Sequence, residues 1–334
     1  VFGTQAPDTG NAEILAMFGT EEQKERYLKP LMDGDIVSCF SMTEPQAGAD
    51  PLEFQCKAWR EGDEWVIDGE KWFSSNARFA AFLIVMAVTH PDNPPHQRMS
   101  MFLVDAGTPG IEIIRNARLL TENSDRDDAA SGYVRYNKVR VPLDAMLGPP
   151  GEAFKVAQAR LGGGRIHHCM RTVGLLQRAI DMMLERAVSR RTKGKRLGDH
   201  QLVQAQIADS IIELEQFRLL VLKTAWIIDT QPHGAARTHI SMCKAQLGKV
   251  FFDIAKRAVH LHGALGVTQE TPLAKIWAGA PSLAVADGPT EVHQVQVAKA
   301  FLKLAKPAPG LFPTDHNLTR LEEARRKYAH LLED

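Results

Sequence analysis

Near residue 145 the spacing of apolar side chains changes period, and that change constrains the fold more than any other feature of the chain. Before it, apolar or alternating runs at 36–40, 54–59, 64–67, 82–88, 99–104 and 111–114 are split by turn residues, the two-residue rhythm of strands. Glu61-Gly62-Asp63 supplies a hairpin turn, residues 91–95 form a loop, and a last strand at 133–141 runs into Pro142. An antiparallel sheet or β-barrel is predicted. After Gly148-Pro149-Pro150-Gly151 the steps become three and four: Val203, Ile207, Ile211, Leu214, Phe217, Val221, Ala225 and Ile228 make one stripe on a long helix. Similar stripes at 154–191, 235–261 and 292–304 predict a four-helix bundle, so the class is α+β. Ahead of the sheet, Thr20-Glu21-Glu22-Gln23 is a capping box that opens a helix turning Tyr27, Leu28 and Leu31 inward, its end loosened by Pro30. The chain divides into a helical segment at 1–35, the sheet at 36–145, the bundle at 146–306 and a linker with a charged helix at 307–334.

A chain of 334 residues exceeds one compact core, so more than one packed unit is expected. Lys plus Arg and Asp plus Glu are 40 each, so no bulk charge draws the protein to nucleic acid or to an anionic membrane. Cys39, Cys56, Cys169 and Cys243 lie far apart without zinc or C-x-x-C spacing and read as buried thiols in a reducing compartment. The longest apolar run, 79–88, is half of the roughly 20 residues that a membrane-spanning helix needs, and reads as a buried strand. Val1-Phe2-Gly3 is neither a signal peptide nor a natural beginning, and the start is expected to be missing.

Chemistry concentrates at Ala286-Asp287-Gly288-Pro289-Thr290-Glu291-Val292-His293, where a carboxylate sits between an apolar run and a helix start. Partial desolvation there is expected to raise the pKa of Asp287 and suit it to take a proton from carbon; the same residues would also serve as a plain helix cap or turn. Thr43-Glu44-Pro45-Gln46-Ala47-Gly48-Ala49-Asp50 is a loop able to hold an anion or a ring edge, or an ordinary turn. Lys71-Trp72-Phe73-Ser74-Ser75-Asn76 sets aromatics beside hydroxyls, suited to a flat heteroaromatic ring or to core packing. Gly162-Gly163-Gly164-Arg165 interrupts a helix at about 1 kcal/mol per glycine, so something must approach that backbone closely. His167-His168 and His260-x-His262 face different ways on their helices, and no metal site is expected. The basic run 190–196 is a solvated turn or a pyrophosphate site.

Six motifs in chain order, the loop at 43–50, the segment at 71–76, Arg165, the basic run at 190–195, His262-Gly263-Ala264-Leu265-Gly266 and Asp287-Gly288-Pro289, resemble the acyl-CoA dehydrogenase family from Gly19 to about Ala305, and the Asp-Gly-Pro version resembles the branch of family members ten and eleven and their bacterial relatives. The resemblance implies part of an N-terminal helical domain, a middle β-barrel and a C-terminal four-helix bundle, with FAD between barrel and bundle. Phe40, Met42 and Thr43 would line the flavin, Ser75 would bond its N5 and Phe73 would cover it. Arg190 and Thr192, with His260 and Gly263 nearby, would hold the pyrophosphate of a flavin bound mainly by a neighbouring subunit, which implies a homodimer or homotetramer. Asp287 would remove the α-proton of an acyl-CoA while hydride passes to flavin N5, giving the enoyl-CoA as in fatty acid β-oxidation, and an electron-transfer flavoprotein would take the electrons.

Gly163 and Gly164 would give the thioester room, Arg165 would tune the charge, and Gly288 and Ala49 would border the substrate. Glu291 falls where the family places a flavin-contacting amide. Asp287 stands where Glu is usual, Ala49 replaces a serine, Phe73 a tryptophan, Lys193 a phenylalanine and Ala264 a glycine. Most of the N-terminal helical domain is absent before Gly3, so the protein is either longer or has an open pocket. The alternatives are an acyl-CoA oxidase or related flavin monooxygenase, and a truncated flavin- or CoA-binding assembly partner. The resemblance places the protein in the cytoplasm of a bacterium, or in the mitochondrion or peroxisome of a eukaryote.

Overall fold

The computed structural model describes residues 6–122, 131–232 and 234–331. Expectations for Val1-Phe2-Gly3 and for the last three residues of the tail lie outside them. The chain begins with α1 (Asp8–Phe18), which buries Ile14 and Leu15. The capping box forms as read: Thr20 Oγ1 accepts from Gln23 N at 3.2 Å, and Gln23 Oε1 from Thr20 N at 3.1 Å. It opens α2 (Glu21–Gln23), a π-helical turn at Lys24–Leu28 and α3 (Lys29–Asp33). The irregularity falls before Pro30, which stands in the first turn of α3, where its missing N–H is tolerated. The helix ends instead at Gly34, in the left-handed region.

Seven strands follow: β1 (Ser38–Ser41), β2 (Lys57–Glu61), β3 (Glu64–Ser75), β4 (Phe82–Val88), β5 (Met99–Asp105), β6 (Ile111–Ala117) and β7 (Ser131–Pro142). Glu61 pairs with Glu64 across the predicted Gly62-Asp63 turn. Along β4 the period of two splits the side chains between two cores. Phe82, Ile84 and Met86 pack with Ile14, Leu15 and Val156, while Leu83, Val85 and Ala87 pack with Ile67, Phe102 and Tyr136. Each of these side chains larger than alanine contributes roughly 1.5–3 kcal/mol, and burial on both faces is why this strand reads as unbroken apolar sequence.

Two sheet expectations are corrected. The sheet is mixed, because β1 runs parallel to β4. It is also not a closed barrel: the order is β1-β4-β2-β3-β7-β6 with β5 on β4, and among the described residues β5 and β6 each pair on one side only. One pair, Phe40 with Ser75, draws β1 across to β3 and folds the sheet over.

The helical part has five helices rather than four: α4 (Ala153–Ser189), α5 (Gln201–Thr230), α6 (Arg237–His262), α7 (Leu273–Val285) and α8 (Thr290–Leu302). α6 is central and packs on the other four. The overlooked one is α7, which carries Pro281 in its interior. A two-stranded ribbon, β8 (Arg191–Thr192) and β9 (Lys195–Arg196), caps the far end of α4, and α9 (Asn317–Lys327) lies exposed on all sides.

Candidate active site

The apolar run before Asp287 is the last turn of α7, and its free carbonyls meet a buried cation. Lys244 of α6, fully buried, donates from Nζ to Leu283 O at 2.7 Å and Ala286 O at 2.8 Å. That arrangement satisfies acceptors that a helix end would otherwise leave orphaned. Asp287 then takes a left-handed backbone, φ +56°, which Asp adopts more readily than most residues. Gly288 follows at φ +106°, and Pro289 leads into α8. Arg165 of α4 donates from Nε to Asp287 O at 2.9 Å. The corner is thus fixed from two helices before its side chain is considered.

That side chain turns into α4. Arg160 Nη1 stands 3.6 Å from Asp287 Oδ1, and His168 Nε2 stands 3.1 Å from Oδ2. Between these contacts a Cβ at Gly164 would lie 2.9 Å from Oδ2, so the glycine is what admits the carboxylate. Gly163 similarly admits the carboxylate of Glu13 from α1, whereas nothing stands within 4 Å of a Cβ at Gly162. The expected close approach to the glycine run therefore holds for two of the three.

The expected rise in the pKa of Asp287 is corrected. Burial pushes it up and is the largest single influence, but the contact with His168 and the charges of Arg160 and Arg165 together hold it well below the usual carboxylate range. The carboxylate is ionised at neutral pH. Beside it opens a cavity of about 270 Å³, bordered by Gly10, Arg160, Gly164, His167, His168 and Arg171. Arg160 Nε is buried there without a partner among the described residues, and its guanidinium lies 4.4 Å from the centre of the Phe40 ring. Through Arg160 the sheet meets the helices at this point.

On the sheet side, Thr43 follows β1 and accepts from Trp72 N at 2.7 Å. Beneath that loop Lys71 and Glu44, both buried, form an ion pair of 2.8 Å. Lys71 also donates to Met42 O, and Glu44 accepts from the backbone N–H groups of Gln55 and Cys56. Phe73 stands in a β-bulge at φ +54° with its ring half exposed, edge-on to Trp72. Met42, Thr43 and Ser75 are half-buried, Ala49 is exposed, and Phe40 is packed in the core.

The predicted residues therefore form separate groups. Asp287, Gly163, Gly164, Arg165 and Gly288 come together at the corner, and Met42, Thr43, Phe73 and Ser75 lie at the ends of β1 and β3. Arg190, Thr192, His260 and Gly263 are exposed at the other end of the helical part, and Glu291 is exposed in the first turn of α8. Three participants escaped the sequence reading. Arg160 and His168 lie four residues either side of Gly164, on one helix face, a spacing that could have revealed them. Lys244 was concealed within the apolar stripe of α6. No grouping of His, Cys, Asp and Glu among the described residues could hold a metal, and none of their helices is long and apolar enough to cross a membrane.

The sheet and the helices each match a known protein-family domain. The acyl-CoA dehydrogenase middle domain matches residues 39–138 and the acyl-CoA dehydrogenase C-terminal domain matches 151–302. The chain belongs to the acyl-CoA dehydrogenase family. It is 43% identical over 304 residues to the protein named probable acyl-CoA dehydrogenase FadE2 of Mycobacterium tuberculosis, covering 90% of this chain and 74% of that one. It is also 43% identical over 309 residues to acyl-CoA dehydrogenase family member 11 of Rattus norvegicus, covering 91% of this chain but only 39% of that protein. Among solved structures it resembles a glutaryl-CoA dehydrogenase from Mycobacterium smegmatis in complex with FADH2, with a TM-score of 0.78 at 25% identity, covering 90% of this chain and 74% of that one.

Proposed function

We propose that this protein converts an acyl-CoA thioester to the trans-2-enoyl-CoA with FAD, and that Asp287 removes the proton next to the thioester carbonyl. The observation that carries this reading is an ionised carboxylate seated against Gly164, a helix position that has no side chain and that itself borders the cavity. Ion pairing keeps Asp287 deprotonated, the state a base needs. Entry of an apolar acyl chain would exclude water from it. Gly163, Gly164, Gly288 and Ala49 would border the substrate, and the Asp287 N–H would polarise its carbonyl.

The sheet side fits a flavin. Phe73 keeps a left-handed backbone that is costly for a bulky residue, and this displays its ring at the surface. Nearby Ser75 is half-buried. FAD, when bound, supplies the acceptor for the hydride that leaves the adjacent carbon. Phe40, Met42, Thr43, Phe73 and Ser75 would hold its ring, with Glu291 nearby. Arg190 and Thr192, with His260 and Gly263, would hold the pyrophosphate of a neighbouring subunit's FAD. At 1.5 Å per residue Arg190 stands roughly 39 Å along α4 from Gly164, which favours that division and a homodimer or homotetramer.

We read 1–35 as part of a helical domain, 36–145 and 146–306 as the two halves of the site, and 307–334 as a tail. An electron-transfer flavoprotein would accept the electrons. Relatives occur in bacteria and eukaryotes, and the protein would act in the cytoplasm of the former or in the mitochondrion or peroxisome of the latter. The test is anaerobic addition of an acyl-CoA panel to the FAD-loaded, full-length protein. Bleaching of the flavin by at least one ester, lost in Asp287→Asn, is expected; no bleaching by any ester would overturn the assignment. Peroxide formed without an electron-transfer flavoprotein would convert it to an oxidase.

A further inference from the structure

One buried titratable side chain touching Asp287 has no part in the mechanism above. His168 lies on α4 with its ring inside the protein, Nε2 towards Asp287 Oδ2 at 3.1 Å and Nδ1 towards Arg171 Nη2 at 2.7 Å. A guanidinium has no acceptor and does not lose its proton in proteins, so Arg171 must donate and Nδ1 must accept. The single ring proton of a neutral imidazole is then on Nε2, facing the carboxylate. Resting on the reading of Asp287 as the base, we propose that His168 is its positioning residue: held by Arg171 as the Nε2–H tautomer, it fixes the carboxylate against Gly164.

Each part of the corner then faces its own nitrogen group. Lys244 holds the carbonyls of Leu283 and Ala286, Arg165 holds that of Asp287, Arg160 faces Oδ1 and His168 faces Oδ2. The charged groups acting on the imidazole are Arg171 on its own helix, Lys244 on α6 and Asp287 from the turn after α7. Burial, chiefly, with Arg171 and Lys244 disfavours a second ring proton and outweighs Asp287, so the imidazole stays neutral. It therefore orients the base and does not drain the proton that the base receives. Oδ2 meets no donor at hydrogen-bonding angles among the described residues, so the 3.1 Å contact has room to tighten when substrate arrives.

Two amides separate this role from mere packing. Gln at position 168 can place an N–H donor where Nε2 was, whereas Asn reaches only the place of Nδ1. In the FAD-loaded, full-length protein, His168→Asn should lower kcat about tenfold or more with KM for the ester nearly unchanged. Its acid limb should move to higher pH, because removing a donor raises the pKa of a carboxylate. His168→Gln should recover most of the rate. Independently of turnover, nitrogen-15 NMR of the FAD-free protein should show His168 as the neutral Nε2–H form at pH 7, and a mixture of tautomers in Arg171→Met.

A cationic or Nδ1–H imidazole in the wild type would overturn the proposal whether or not the variants fold. So would equal rates and equal acid limbs for Asn and Gln. Failure of the base reading is separate: it would show as turnover surviving Asp287→Asn, with the NMR result intact.

Discussion

Arg160 Nη1 approaches Asp287 Oδ1 to 3.6 Å while the same guanidinium covers the ring of Phe40, so one side chain links that carboxylate to the first strand of the sheet. Removing Asp287 leaves that buried cation uncompensated. Asp287→Asn is therefore expected to cost about 3 kcal/mol at neutral pH, the usual penalty for breaking a buried pair. A carboxyl held below its ordinary 3.8 stabilises the fold above that pH and loses this effect as pH falls below it. Urea unfolding should show wild type and variant far apart at pH 7 and converging in acid.

His293, buried on α8 beside Gly288, is instead held neutral. Burial, aided by Arg165 and Lys244, lowers its pKa from 6.5 to about 4. Between those values the unfolded chain binds a proton that the folded protein refuses, so this stabilisation is full above 6.5 and is lost as pH falls towards 4. Its size is about 3 kcal/mol. In His293→Gln, melting temperatures measured from pH 7 to 4 should fall less steeply than in the wild type.

Breaking the Lys71–Glu44 pair should loosen the loop that carries Thr43. Lys71→Met leaves a buried carboxylate without its countercharge and the Met42 carbonyl without the Lys71 donor, and is expected to cost about 3–5 kcal/mol. If the loop holds a flavin, FAD should also dissociate more readily, as followed by fluorescence of the released cofactor.

The two ends of the glycine run should respond differently. Gly164→Ala pushes a methyl to 2.9 Å from Asp287 Oδ2 and must turn the carboxylate, so the rate of flavin bleaching should fall about a hundredfold. Gly162→Ala meets nothing within 4 Å and should raise stability by up to about 1 kcal/mol with bleaching unchanged. Equal bleaching rates would refute the steric role of Gly164.

Much of this architecture was legible from local pattern. The capping box at Thr20 and Gln23, the Gly62-Asp63 hairpin and the stripes of α4, α5, α6 and α8 depend on neighbours within a few residues, and they formed as expected. Sheet closure and the parallel pairing of β1 with β4 are settled between residues far apart in sequence, as are α7 with its internal Pro281 and the charge environment of Asp287.

Asp287 shows the division most sharply. Asp287-Gly288-Pro289 was by itself enough to place a carboxylate in a turn before a helix, because Gly and Pro punctuate the chain wherever it folds. The sequence alone also determined that a helix face carries Arg160, Gly164 and His168 at steps of four. Only the tertiary structure decided that this face meets that turn. Packing α4 against the corner held by Lys244 brings Arg160 and His168 against the carboxylate, and together with Arg165 their pull outweighs the desolvation that sequence reasoning expected to dominate.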